Sequence, residues 1–362
     1  MKNISLILSI SLIILCGCES RHEMAMFRSN EQRTGVYDTK GIPEFTEVLW
    51  TFKTDDWLSS SPVIMNGVVF FGSFDNCLYA LDIETGQEKW KFETGADVVS
   101  SPAVVDGVVY FGSEDSYFYA VDVENGQQKW RFQAEHYVNS SPLIADGVVY
   151  FGSNDNHLYA VNAKKGEQKW KFETGDDILS SPAIADGVIF FGSSDDYLYA
   201  VTLNTVKEKW KFKTGDDVFS TPAIVNGTAY FGSQDSSLYA VDIETGEQKW
   251  KFNTGNAVWS SPAIANGVAY IGSYDSHLYA IDIKSGQKKW KFKTEGYVSS
   301  SPSIADKVVY FGSWDNYFYA VDINTGQQKW TFKTEASIVS SPAIDNGVVY
   351  FGSFDKFLYV LK

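Results

Sequence analysis

The amino-acid sequence predicts an all-β fold, an eight-bladed β-propeller of four-stranded antiparallel blades. Three observations carry this reading. A tryptophan returns every 40 residues without an insertion, at Trp50, Trp90, Trp130, Trp170, Trp210, Trp250, Trp290 and Trp330. Eight of the nine prolines keep step from Pro62 to Pro342, as do the aspartates from Asp75 to Asp355. Each repeat holds four short stretches with strand patterning and none with helical spacing, which separates a propeller from a helical solenoid.

Taken in order within one unit, Ser100 to Val105 reads as a short strand, A, ending at the Asp106-Gly107 turn. Val108 to Gly112 is a nearly unbroken apolar run, as expected for a strand B covered on both faces. Strand C is Phe118 to Asp122, and Asn125-Gly126 turns the chain into strand D. The D pattern is clear in Trp90, Phe92 and Thr94, which alternate with Lys91 and Glu93. Unit four departs at the C–D turn, with Thr202 for Asp and Val206 for Gly, so that turn is expected to be locally strained. Unit three drifts more mildly, at Asn162 and Lys165.

The chain ends after a C strand, Leu358-Tyr359-Val360, and begins its repeats with a surplus D strand, residues 48–54. An open ring leaves bare strand edges. Pairing the first strand into the last blade removes them and closes the ring.

Residues 1–17 read as a targeting segment: Lys2, then an apolar run from Ile4 to Leu15, too short to span a bilayer as a helix. Leu15-Cys16-Gly17-Cys18 resembles the bacterial lipobox, which implies lipidation at Cys18, and Glu19 resembles the residue that follows in lipoproteins sent to an outer membrane. Residues 18–43 are expected to form a lipid-proximal tether and lead-in, and residues 44–362 the propeller. Cys77 is expected to pack as a small apolar group, since a lipidated Cys18 leaves it no disulfide partner.

Ala80-x-Asp82-x-x-Thr85-Gly86-x-x-x-Trp90 resembles the tryptophan-docking motif of quinoprotein propellers, and residues 26–362 resemble bacterial propellers of pyrroloquinoline quinone (PQQ)-like repeats. The resemblance implies that the eight tryptophans stack between neighbouring blades. In length, lipid anchor and blade number the chain resembles the outer-membrane protein assembly lipoproteins of the BamB type. That likeness implies a non-enzymatic, periplasm-facing scaffold that binds a protein partner, such as a component of a β-barrel assembly machine. The alternative is a small-ligand or quinone-binding propeller related to the quinoprotein dehydrogenases. Those enzymes have an adjacent Cys-Cys pair and long loops, which this chain lacks, so no PQQ cofactor is expected.

Loss of the leader removes Lys2 from a chain of formal charge −15, leaving it more acidic still, and the repeats hold one arginine, Arg131. Clustered basic residues are what nucleic acid requires, so it is excluded as a partner. The lysines fall mainly on the outer D strands, as at Lys89, Lys91, Lys169 and Lys171, where they guard edges.

The A–B turns barely vary between units, whereas the D–A loops and B–C turns do, and these two open on one face. The residue before the fixed Asp runs Phe74, Glu114, Asn154, Ser194, Gln234, Tyr274, Trp314, Phe354. If the ring closes, Tyr274, Trp314, Phe354 and Phe74 form one aromatic arc, joined by the D–A residues Trp57, Trp259 and Tyr297. Asp176, Asp177, Asp196, Asp216 and Asp217 lie opposite. Exposed aromatic patches mark binding sites, while rings tucked between blades serve packing; both readings are open here. The recurring Asp and the Ser-Ser pairs are expected to be structural, bonding nearby backbone. His136 and His157 share a unit but lack a third ligand, so neither a metal nor a catalytic residue is expected.

Overall fold

The structure, a computed structural model, describes residues 24–362. The leader, Cys18 and His22 therefore lie outside the described residues. In the second blade strand A is Ala103–Val105, B is Val108–Gly112, C is Tyr117–Asp122 and D is Gln128–Gln133, paired antiparallel in that order. The same order recurs in all eight sheets, and no helix occurs among the described residues. The predicted eight-bladed propeller is the observed one.

The local causes are those the repeat suggested. Asp106 and Gly107 have φ of 49° and 75°, the left-handed pair that a two-residue hairpin needs. The B strand is buried along most of its length, and the D strand alternates exposed with half-buried positions. Cys77 is buried, with its thiol pushed up by burial.

Neighbouring blades are tied at two radii. Outside, the indole of one blade donates to the C–D turn of the next, as in Trp90 Nε1 to the Val123 carbonyl at 3.0 Å and Trp250 Nε1 to Ile283 at 2.8 Å. The indole covers the turn glycine so closely that a Cβ on Gly126 would sit 2.7 Å from the Trp90 ring. Inside, the second residue of each Ser-Ser or Ser-Thr pair donates its amide to the corresponding hydroxyl of the next blade, from Ser61 N to Ser101 Oγ at 2.9 Å onward. This chain of bonds returns to its start with Ser341 N to Ser61 Oγ at 2.9 Å.

Unit four breaks the outer tie. Val206 occupies the glycine position at φ 52°, and Trp170, among the described residues, makes no bond to the next turn. A β-branched residue held left-handed costs about 1–3 kcal/mol. Val206→Gly is expected to stabilise the protein by about 1 kcal/mol, after the entropy cost of the added glycine. A thermal melt checks this; an unchanged or lower midpoint would show that the turn is unstrained.

Three strands precede the first repeat: β1 (Met24–Met26), β2 (Val36–Tyr37) and β3 (Val48–Lys53). The closure expected for the surplus D strand is present: β3 pairs antiparallel with Phe357–Leu361, with Thr51 opposite Tyr359. The residues before β3 also supply the turn that the truncated last blade lacks. Trp330 Nε1 donates to the Ile42 carbonyl at 2.9 Å, the bond other tryptophans make to a residue 33 positions on.

The remainder of the lead-in is not peripheral. β1 adds to the inner strand of blade two and β2 to that of blade seven, so residues 24–43 lie across the axial channel on the A–B-turn side. Carbonyls of Glu31, Gln32, Thr34 and Gly35 accept in turn from the amides of Ile184, Ile224, Ile264 and Ile304, the inner strands of four successive blades. Two arginines anchor this plug. Arg33 donates to the carbonyls of Pro182 (3.0 Å) and Pro142 (2.7 Å), and Arg28 reaches those of Pro262 and Pro302. Both are fully buried, and desolvation lowers Arg28 to about 10 and Arg33 to about 9, leaving each a cation at neutral pH.

Candidate functional site

The face opposite the plug is built from the D–A loops and B–C turns, and its rigidity comes from the recurring aspartate. Asp115 accepts from the Tyr117 amide through Oδ1 (3.0 Å), and through Oδ2 from the Gly95 amide (2.8 Å) and the Tyr119 hydroxyl (2.6 Å). One carboxylate thus fastens a B–C turn, a D–A loop and a C strand. The two Oδ2 bonds recur around the ring, Asp75 and Asp355 for example serving Tyr79 and Tyr359 and the amides of Asp55 and Glu335. These aspartates serve structure, as do the second hydroxyls of the inner pairs.

On this scaffold the variable residues come together. Tyr274 stacks on Tyr297 with ring centres 4.8 Å apart and planes 2° from parallel, and on its other side meets Trp259 at 5.1 Å. Tyr297 touches Trp314 at 6.1 Å, Trp314 touches Phe354 at 6.2 Å, and Phe354 stacks on Trp57 at 4.9 Å. Trp57 then meets Phe74 at 6.0 Å. All seven rings read from the sequence therefore form one unbroken ladder, and the Trp57–Phe354 step crosses the closure seam. Phe219, missed in the sequence, extends it through an edge contact to Trp259 at 5.1 Å. It stands just before the first residue of the Ser-Thr pair, the position that Trp259 occupies in the next unit, but in unit five, next to the acidic loops, where no aromatic arc was expected.

The ladder is both packed and open. Trp57, Trp259, Tyr297 and Trp314 are 40 to 48% exposed, whereas Phe74, Tyr274 and Phe354 are half-buried beneath them. The Trp314 indole is held by its N–H to Ser299 Oγ at 2.8 Å. Mutual ring contacts of about 0.5–1.5 kcal/mol each hold the exposed rings in place before any partner arrives. At the axis the loops surround a hollow of about 370 Å³, lined among others by Trp259, Trp314, Phe219, Leu179 and Asn139.

The other half of the face is acidic and amide-rich. Asn154 Nδ2 donates to Asp177 (2.9 Å), Gln234 Nε2 to Asp217 (2.8 Å) and Asn139 Nδ2 to Glu114 (3.2 Å). Burial, reinforced by neighbouring carboxylates, raises Asp177 and Asp217 above the ordinary range, and burial raises Glu114. Asp196, Asp216 and Asp217 bring carboxylate oxygens within 4.8 Å of one another, a grouping without histidine. His136 instead packs on Tyr137 at 4.4 Å, and Tyr137, 42% exposed, is an aromatic ring on the acidic side. His157 binds the Asp155 carbonyl through Nδ1 at 2.7 Å.

Comparison with known proteins places this architecture. Residues 42–266 match the family model described as the beta-propeller of the beta-alanine-activating enzyme. Residues 251–361 match that of the outer membrane protein assembly factor BamB. No curated protein matches the sequence. Among solved structures, BamB from Moraxella catarrhalis is 16% identical, with a TM-score of 0.76 over 87% of this chain and 99% of that one. A europium-containing methanol dehydrogenase is 14% identical, with a TM-score of 0.81 over 93% and 97%. The quinohemoprotein alcohol dehydrogenase from Comamonas testosteroni is 13% identical, with a TM-score of 0.80 over 93% and 80%. At such identities the likeness is one of fold. It establishes a PQQ-like repeat β-propeller resembling BamB.

Proposed function

From the premise that the chain belongs to the beta-propeller family of the beta-alanine-activating enzyme, we propose that it is a non-enzymatic scaffold of the cell envelope that binds another protein through its aromatic ladder. The observation that carries this reading is the contiguity of the rings. Four exposed aromatic side chains, pre-stacked on three half-buried ones, make a rigid apolar surface of the kind that anchors partner proteins. Each recurring aspartate is engaged in hydrogen bonds within the fold through Oδ2, and the second hydroxyl of each pair accepts from a neighbouring blade, which leaves the face suited to contact rather than to chemistry. Lipidation at Cys18 would attach the scaffold to a membrane, and the likeness to the assembly factor BamB favours a β-barrel assembly component of the outer membrane as the partner.

A quinone is left out of this proposal on the chemistry of the donors. PQQ is a tricarboxylate and needs cations beside it. The D–A loops and B–C turns contain one lysine, Lys356, already paired with Asp56 at 3.5 Å, and no arginine. The buried guanidiniums of Arg28 and Arg33 belong to the plug on the opposite side.

The double substitution Trp314→Ala with Phe354→Ser tests the scaffold reading. Retained melting behaviour with loss of partner capture from solubilised envelope is expected. Undiminished capture would sink the proposal, and global unfolding of the variant would assign the rings to packing alone.

A further inference from the structure

The charge distribution on this face defines what crosses it. The aromatic ladder occupies units six, seven, eight and one, and the opposite side carries Asp176, Asp177, Asp196, Asp216 and Asp217. Among the described residues none of these five forms an ion pair with lysine or arginine. They repel one another: Asp176 and Asp196 both act with Asp216 to raise Asp217. His136 lies close enough to Asp177 and Glu114 to oppose part of the rise in each. Between the two halves lies the axial hollow, so the face is apolar at one edge, concave in the middle and negative at the other.

We propose that this face receives an extended protein segment that is apolar at one end and carries a cluster of lysine or arginine at the other, laid across the hollow with its cationic end on the Asp176/Asp177/Asp216/Asp217 edge. The inference rests on the scaffold reading above and adds the partner's chemistry. A cation placed among mutually repelling carboxylates relieves their repulsion as well as gaining its own attraction. An apolar run on the ladder gains area burial on rings that are already ordered. A segment with the opposite polarity would set its apolar residues on carboxylates and leave its charges on aromatic edges, so one orientation is selected.

The test uses the full chain and three labelled peptides that share an apolar half, with a second half of lysines, glutamines or glutamates. Fluorescence anisotropy at low and high salt is read for the wild type, for Asp176→Asn/Asp177→Asn/Asp216→Asn/Asp217→Asn, and for Trp314→Ala/Phe354→Ser. The lysine peptide is expected to bind about tenfold tighter than the glutamine peptide, since several exposed ion pairs each contribute little. That advantage should vanish at high salt and in the four-Asn variant, which should still bind the glutamine peptide as the wild type does. Equal binding of the lysine and glutamine peptides, both lost in the ladder variant, would overturn this inference and leave the scaffold reading standing. Peptide binding that survives in the ladder variant would overturn the scaffold reading as well. Spermine binding as tightly as the lysine peptide, without dependence on the ladder, would make the acidic edge a polyamine site and overturn the proposal.

Discussion

Deleting residues 44–54 is expected to destabilise the whole ring by on the order of 5 kcal/mol or more, a loss comparable with the entire stability of many domains. The segment supplies a complete outer strand, and its removal would strip the edge of Phe357–Leu361. It would also remove the amides of Thr46 and Glu47 that bind the Lys362 carbonyl at 2.7 and 3.0 Å. Phe52 packs edge-on against Phe71 of blade one and against Tyr79, so the loss spreads across the seam. Several buried aromatic contacts at about 2 kcal/mol each, with a ladder of hydrogen bonds at about 1 kcal/mol each, account for the size. Thermal unfolding should shift as one transition. Moving residues 44–54 to follow Lys362 in a permuted chain should restore stability, because Thr46 already lies at hydrogen-bond distance from that residue. A deletion that melts like the wild type would refute closure by this strand.

The second large effect is expected at Arg33. Its guanidinium spans blades three and four through the carbonyls of Pro142 and Pro182, and it also donates to the Phe27 carbonyl within the plug. Arg33→Met would remove a desolvated cation, a gain, but leave those carbonyls bare. Hydrogen bonds from a charged donor contribute about 1.5–3 kcal/mol each, so the loss outweighs the gain and a net destabilisation of about 3 kcal/mol is expected. Arg33→Lys should recover little, since a single ammonium cannot fork to two blades. Hydrogen exchange gives the specific readout. The amides of Ile184, Ile224, Ile264 and Ile304, whose acceptors are plug carbonyls, should exchange faster, while β3 amides keep their protection. Unchanged exchange at those four isoleucines would show that the arginine does not hold the plug.

Much of the candidate site was legible because the chain carries its own internal comparison. Positions 74, 274, 314 and 354 differ from their counterparts against a constant background, and a closed ring makes units eight and one neighbours. That inference required no coordinates, and the Trp57–Phe354 stack at 4.9 Å bears out the predicted adjacency. Val206 was likewise visible as a departure from glycine, and it is held at positive φ. Phe219 was missed although it shares the repeat position of Trp259, because unit five falls outside the four units whose B–C turns are aromatic. The sharpest omission is the plug, where the lead-in was read as a tether and resemblance alone.

By itself the sequence determined the strand count per blade, the number of blades, the seam and the identity of the rings on the variable face, because each follows from local patterning repeated at a fixed period. Only the tertiary structure decided where Arg28 and Arg33 go and which rings lie exposed. The arginine acceptors are main-chain carbonyls of Pro142, Pro182, Pro262 and Pro302, drawn from four repeats that meet only at the axis. Carbonyls are present at every residue and leave no mark in the sequence. A non-repeating segment that binds them has no period to reveal it, and its place is set by the convergence of backbone that folding alone produces.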